Sequence, residues 1–181
     1  MTRVHEIRAE PLTAEAFAPF GRLIAARDDE PDYRAASGTQ GWHVAFESGQ
    51  PLLSVLKTPY RGLSFAKMER HFHVSQAFVR LGGSAAVVAV APPSEDRASA
   101  PRLEDVHAFL LDGSTGYVLH RGTWHSLDRF ALQPPGTTFL MITDRETQHD
   151  LAESYAGRGT WALTQEVDLE TIYGTTIAIV R

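Results

Sequence analysis

The sequence predicts a mainly β protein, a small barrel or sandwich with a few short helices. Three observations lead there. Short β-rich runs recur at near-regular spacing through most of the 181 residues, the pattern of sandwiches and barrels. Turn signals separate these runs: Gly49-Gln50-Pro51, Gly82-Gly83, Pro92-Pro93, Asp112-Gly113 and Pro134-Pro135-Gly136. Glu69, His71 and His73 alternate along one otherwise apolar run. On a strand they share one face, which points to a polar site inside a barrel.

The elements follow in order. Thr13 is placed to cap a short helix over 14–18, and Pro19-Phe20-Gly21 turns the chain after it. A first strand is expected over 22–26. Residues 27–40 are polar, charged and glycine-containing and read as a loop, either functional or mobile. Strands are then expected over 42–46, 52–58, 63–71, 76–81, 85–91, 106–111, 116–120, 124–130 and 137–143. Residues 92–102 form a polar loop ending in a brief helical turn, and 144–156 suit a helix. The segments 161–167 and 172–180 are final strands that either cover a barrel face or pair with another subunit. No internal repeat is visible, and the length suits one domain over 1–181.

Composition narrows the function classes. At 43% hydrophobic and 22% charged the chain can bury a sizeable core. Its formal charge of −5 argues against a general nucleic-acid or anionic-membrane surface, while leaving room for a local basic pocket for an anionic metabolite. The absence of cysteine excludes disulfides, a thiol nucleophile and Cys-ligated zinc or iron–sulfur chemistry. No run approaches the roughly 18–20 apolar residues of a membrane span. Residues 1–6 lack the apolar core of a signal peptide, so a cytoplasmic location is expected.

Two histidine clusters carry the chemistry. The first is Glu69-Arg70-His71-Phe72-His73-Val74-Ser75-Gln76, and the second is His120-Arg121-Gly122-Thr123-Trp124-His125. An acid and imidazoles on an apolar strand are costly to bury unless something binds them. Local alternatives stay open. Glu69 can pair with Arg70 or Lys67 on a solvated face, His120 can cap the turn, and a bulge can swing Phe72 inward in place of His73.

This arrangement resembles the cupin superfamily, whose first motif carries inward histidines, then Glu or Gln, then Gly, and whose second ends in Gly-x-x-His. The resemblance implies a cupin-like jelly-roll β-barrel that binds a divalent metal or a small metabolite. It can be registered on His71 and His73 or on Glu69 and His71. The second register is preferred because it leaves the usual spacing to Gln76 and Gly83. It implies Glu69, His71, Gln76 and His125 as the metal ligands. That donor set suits Ni, Mn, Zn or Fe, with no organic cofactor.

A narrower resemblance is to the ureidoglycolate lyase family. It rests on Glu69-Arg70-His71, Gln76-Ala77-Phe78 and His120-Arg121-Gly122-Thr123-Trp124-His125, supported by Pro11-Leu12-Thr13, Phe17, Phe20-Gly21, Phe139-Leu140 and Asp144-Arg145. It covers roughly 7–145 as a family-like barrel, with 146–181 as a C-terminal extension packing on the barrel or on a partner subunit. The chain departs from the family's pattern at Phe72, His73 and Val74.

The resemblance implies cleavage of ureidoglycolate to glyoxylate and urea by acid/base- or metal-assisted C–N elimination. His71, His125 and Glu69 would be catalytic, the histidines as metal ligands or acid/base groups and Glu69 as ligand or base. His120 and His73 would contact the substrate, and Lys57 would hold its carboxylate. The expected partners are an anionic small-molecule substrate and a second copy of the chain in a homodimer, with neither nucleic acid nor membrane. Two other readings keep the barrel: an enzyme for another small hydroxy acid or sugar acid, and a non-catalytic metabolite-binding protein.

Overall fold

A computed structural model describes residues 2–94 and 96–181. Positions 1 and 95, the latter within the polar loop expected over 92–102, lie outside the described residues.

The chain begins with β1 (Arg3–Pro11), the short helix α1 (Ala14–Phe17) and β2 (Gly21–Ile24). The Thr13 side chain accepts a hydrogen bond from the Ala16 amide, the expected cap. The loop that follows folds into a small hairpin of β3 (Tyr33–Arg34) and β4 (Gln40–Gly41). Then come β5 (Pro51–Pro59), β6 (Ser64–Phe65), β7 (Lys67–His71), β8 (Gln76–Gly83) and β9 (Ala86–Ala91). A 3-10 turn over Leu103–Asp105 leads into β10 (His107–Leu111) and β11 (Gly116–Leu119). After these lie β12 (Trp124–Ser126), β13 (Phe130–Ala131) and β14 (Gly136–Asp144). The chain closes with α2 (Arg145–Tyr155), β15 (Thr164–Asp168), α3 (Leu169–Tyr173) and β16 (Thr175–Val180).

Among the described residues the strands build two facing sheets besides the β3–β4 hairpin. The larger runs β15-β7-β12-β9-β10-β1-β16-β6, with β13 also paired to β9. The smaller runs β2-β11-β8-β14-β5. Pairing is antiparallel except that β1 lies parallel to both β10 and β16. The fold class is therefore the expected one at the level of architecture: a mainly β, barrel-like pair of sheets with a few short helices. No helix among the described residues is long and apolar enough to cross a membrane.

Strand β9 shows how the core is divided. Every one of its residues is buried. Ala86, Val88 and Val90 face the smaller sheet and pack with Phe78, Tyr117, Leu119, Phe139 and Met141. Val87, Ala89 and Ala91 face the opposite way, onto Met68, Trp124, Leu169 and Ile177. Alternation along paired strands carries this division to β12 and β7. His125 sits opposite Val90, and Glu69 opposite His125, so both face the space between the sheets.

Several expected elements are corrected. Strand β1 was not anticipated: Ile7 is its one buried residue, and its position between β10 and β16 supplies the order that its sequence pattern lacks. Residues 42–46 are not a strand. Trp42 Nε1 donates to the Asp29 carbonyl and the His43 amide to Asp32, so the loop takes the bonds a ladder would. The run over 63–71 breaks at Ala66, whose carbonyl accepts from the Leu169 amide. The run over 124–130 breaks at Leu127. Residues 169–173 form α3, capped by the Asp168 side chain and stopped by Gly174 in the left-handed region, so the last strand starts at Thr175.

The C-terminal strands belong to the large sheet. Strand β15 pairs with β7, setting Thr164 opposite His71 and Glu166 opposite Glu69. Strand β16 lies between β1 and β6. At the start of α2, Asp144 accepts from the Glu146 and Thr147 amides, and also from the Ser48 hydroxyl and the Gln50 amide, tying the turn before β5 to the end of β14.

Candidate functional site

Strand β7 presents alternating residues to two environments. Arg70 points away from the inter-sheet space. Its guanidinium lies 4.4 Å from the Trp124 ring, donates to Gln165 Oε1, and also reaches the carbonyls of Ser94 and Asp96. It pins β7 to β15 and to the backbone at Ser94 and Asp96, and it does not pair with Glu69. Glu69 and His71 point inward.

Across from them, β12 contributes His125 and β8 contributes Gln76. All four are buried. Glu69 Oε1 lies 3.8 Å from His71 Nε2 and 3.8 Å from His125 Nδ1, and the two imidazoles are 5.3 Å apart between ring centres. The carboxylate contacts are too long for hydrogen bonds, so the three groups sit side by side rather than as an ion pair. His71, Gln76 and His125 line a narrow, closely packed cleft together with Val74, Leu119, His120 and Thr123.

In each ring Nδ1 has a hydrogen-bond contact and Nε2 has none. His71 Nδ1 is 2.9 Å from the Thr164 hydroxyl, and His125 Nδ1 is 3.2 Å from the Ser126 carbonyl. His71 Nε2, His125 Nε2 and Gln76 Oε1 are buried with no partner. Buried polar atoms are normally paired, so orphans converging on one cleft mark a place where something binds. Glu69, His71 and His125 each offer a donor atom within 4.8 Å of the others and can hold a metal ion. For His71, whose Nε2 faces Glu69, the bond from Nδ1 to Thr164 is the support that metal-binding histidines usually carry. The residues fit a divalent cation on donor chemistry and on their unsatisfied atoms.

Burial sets the protonation states. Burial is the main cause raising the Glu69 carboxyl to about 7, opposed by the nearby Arg129 cation and reinforced by Glu166. Burial first, and Arg129 second, pushes His71 down to about 3. His125 is lowered well below its ordinary value by burial, then by Arg129 and His71, against a small opposing bond to Ser126. Both imidazoles are therefore neutral at pH 7. Histidine acting as an acid/base group near its ordinary pKa, as the sequence led us to expect, gives way to neutral rings flanking a titratable Glu69.

Two expected residues fall outside this cluster. The strand ends at His71, so His73 sits on a bend and is exposed; it does not share the inward face of Glu69 and His71. Lys57 is exposed on the same outward face of β5 as Leu53 and Val55, while Leu56 turns toward the core. It cannot hold a substrate carboxylate in the inter-sheet space. His120 does border the cleft and also a wider mouth lined by Glu47, Phe72, Ser94, Arg97 and Arg121.

Sequence reasoning missed two residues. Thr164 arrives from β15, 93 positions from His71, with no local signal. Arg129 is 5% exposed and lies in the turn after β12. An uninterrupted strand would have set it on the face of His125, four residues on, and that parity was available in the sequence.

Comparison with known proteins completes the site's description. Residues 4–163 match the family model described as ureidoglycolate lyase. A ureidoglycolate lyase from Burkholderia cepacia is 38% identical over 128 residues, covering 66% of this chain and 70% of that one. One from Brucella abortus biovar 1 (strain 9-941) is 32% identical over 161 residues, covering 84% of this chain and 90% of that one. The solved structure of RmlC from Streptococcus suis in complex with dTDP-D-xylose aligns with a TM-score of 0.36 at 10% identity, over 72% of this chain and 62% of that chain.

Proposed function

Because the chain belongs to the ureidoglycolate lyase family, we propose that it cleaves ureidoglycolate to glyoxylate and urea at the Glu69, His71 and His125 cluster. The observation that carries this reading is the convergence of two imidazoles and Gln76 on a single buried cleft, with the buried Glu69 carboxyl 3.8 Å from each imidazole. The substrate carries hydroxyl, ureido and carboxylate groups on one carbon. Elimination removes the hydroxyl proton, forms the C=O bond, breaks the C–N bond and delivers a proton to the leaving nitrogen.

Glu69 is the group suited to move that proton, since a carboxyl poised near neutrality exchanges protons in both directions. His71 and His125 stay neutral and orient the substrate or hold a ligand through Nε2. Gln76 Oε1 accepts from a substrate hydroxyl or amide N–H. A divalent metal held by Glu69, His71, Gln76 and His125 would supply Lewis-acid polarisation of the substrate oxygen. His120 stands at the cleft mouth, where it can contact the incoming substrate. The reaction makes the protein a carbon–nitrogen lyase of the amidine-lyase type.

The test is release of urea and glyoxylate from ureidoglycolate by purified protein, before and after chelation and with Ni or Mn restored. Loss of release in His71→Ala and His125→Ala supports the reading, and the chelation arm decides the metal's part. No release from the folded protein under any metal condition removes the named activity.

A further inference from the structure

The guanidinium of Arg129 is a buried charge beside the cluster with no part in the proton transfers of the reaction. It is fixed on three sides. Nε donates to the Tyr117 hydroxyl at 3.1 Å, and Nη1 donates to the carbonyls of Ser126 at 3.2 Å and Leu127 at 3.4 Å. Its carbon lies 3.8 Å from the centre of the Phe78 ring. The remaining nitrogen, Nη2, is buried with no partner, and among the described residues the guanidinium forms no ion pair. Arginine keeps its charge in proteins, and buried charges are normally paired or bound to something.

The place of this cation in the barrel matters. The Ser126 carbonyl that accepts from Nη1 is also the partner of His125 Nδ1 at 3.2 Å. Guanidinium and imidazole thus share one acceptor, which sets Arg129 directly beside the cluster. Its charge lowers Glu69, His71 and His125 alike, as expected of a cation inside the same low-dielectric space. Lys57, the basic residue expected to hold a substrate carboxylate, is on the outer face. Arg129 is therefore a cation beside the cluster, already oriented, with two N–H groups to offer at Nη2.

We propose that Arg129 is the carboxylate-binding residue of this site, its unpartnered Nη2 receiving the carboxylate of an α-hydroxy or α-oxo acid whose reacting carbon lies against Glu69, His71 and His125. The proposal rests on the lyase reading for the identity of the acid, and on the buried guanidinium alone for its binding. Tyr117, Ser126 and Leu127 hold the fork in place, so little side-chain freedom is lost on binding. Arg129 is a substrate-binding residue here and carries no proton in the reaction.

The test compares wild type, Arg129→Gln and Arg129→Lys in glyoxylate binding by titration calorimetry and in steady-state kinetics on ureidoglycolate. A charge-assisted hydrogen bond to a carboxylate predicts a rise of about tenfold to hundredfold in the glyoxylate Kd and in KM for Arg129→Gln. The change in kcat should be smaller, Lys should recover part of the loss, and binding of carboxylate-free urea should be unchanged. A folded Arg129→Gln variant that binds glyoxylate as wild type does, or a wild type that does not bind it, overturns the proposal. If the variants fail to fold, arginine-selective ¹⁵N spectra of wild type decide. A buried Nε–H resonance that shifts with glyoxylate and not with urea supports the assignment, and none shifting overturns it. Wild type that binds glyoxylate but releases no urea sinks the lyase reading and keeps the anchor. Active enzyme whose Arg129→Gln variant retains its KM sinks the anchor alone.

Discussion

Replacing Thr164 with valine tests whether β15 is part of the functional site or only covers it. Valine preserves the β-branched shape and nearly the volume of threonine and removes the hydroxyl that meets His71 Nδ1 at 2.9 Å. Thr164 is 1% exposed and His71 3%, so water does not replace the lost partner. Leaving one buried ring nitrogen unpaired costs about 1–3 kcal/mol. Removing a hydroxyl that itself had to be desolvated returns part of that, so the loss in unfolding free energy should lie toward the lower end. The effect on function should be larger, because the ring is then free to change tautomer or rotate. Losing the outer support of a metal-binding or catalytic imidazole typically lowers affinity or activity by about 10–100-fold. The assays are kcat/KM for urea release, metal titration of the chelated protein, and urea unfolding. Thr164→Ser, which keeps the hydroxyl, should recover most of the activity. A Thr164→Val protein with wild-type kcat/KM and wild-type metal affinity would mean that packing alone orients His71.

Other perturbations have equally defined outcomes. Asp144→Ala should cost about 0.5–2 kcal/mol at pH 7 through the lost cap of α2, and more if the bonds to Ser48 and Gln50 also count. Burial acts to raise the Asp144 carboxyl, but its hydrogen bonds from Gln50, Ser48, Thr147 and Glu146 outweigh burial and hold it below the ordinary carboxylate range. A depressed folded-state pKa gives stability that is present above the unfolded value of about 3.9 and is lost as pH falls through the folded value. The difference in urea midpoint between wild type and Asp144→Ala should therefore shrink toward pH 3, and a constant difference would contradict the assignment. Gly21→Ala should lower the thermal midpoint, because the added methyl would stand 2.0 Å from the Val118 carbonyl and 2.8 Å from the Phe17 ring. Overpacking of this kind costs about 1–3 kcal/mol, and an unchanged midpoint would show that β2 yields freely. His73→Ala and Lys57→Ala should each leave kcat/KM within about twofold of wild type, as exposed side chains outside the cleft. A larger loss in either would return that residue to the site.

The strands legible in the sequence are those whose local pattern agrees with their surroundings. Strand β5 alternates outward Leu53, Val55 and Lys57 with inward Leu56, and β9 is apolar throughout because both of its faces are covered. Strand β1 was illegible because one buried isoleucine carries no period, and its parallel neighbours β10 and β16 come from the far half of the chain. The site divides in the same way. Glu69, His71, Gln76 and His125 were visible because strand alternation and motif spacing are local properties. His73 obeyed the same alternation on paper, but the backbone bends after His71 and ends the pattern. The neutral state of the histidines was beyond sequence reasoning, since it depends on complete burial and on a cation from a turn read as continuous strand.

The pairing of the last strands bears on how this protein should be cut for study. The matched family span stops at residue 163, a natural choice for a minimal fragment. That cut falls one residue before Thr164 and removes β15, α3 and β16 together. It would strip β7 of its neighbour and leave the strand that carries Glu69 and His71 as an open sheet edge, and it would unpair β1 on one side as well. Edges of that kind recruit other chains. A fragment trimmed to the recognisable homology would thus exchange an intramolecular partner for an intermolecular one, and full-length material is the form in which the cleft keeps its shape.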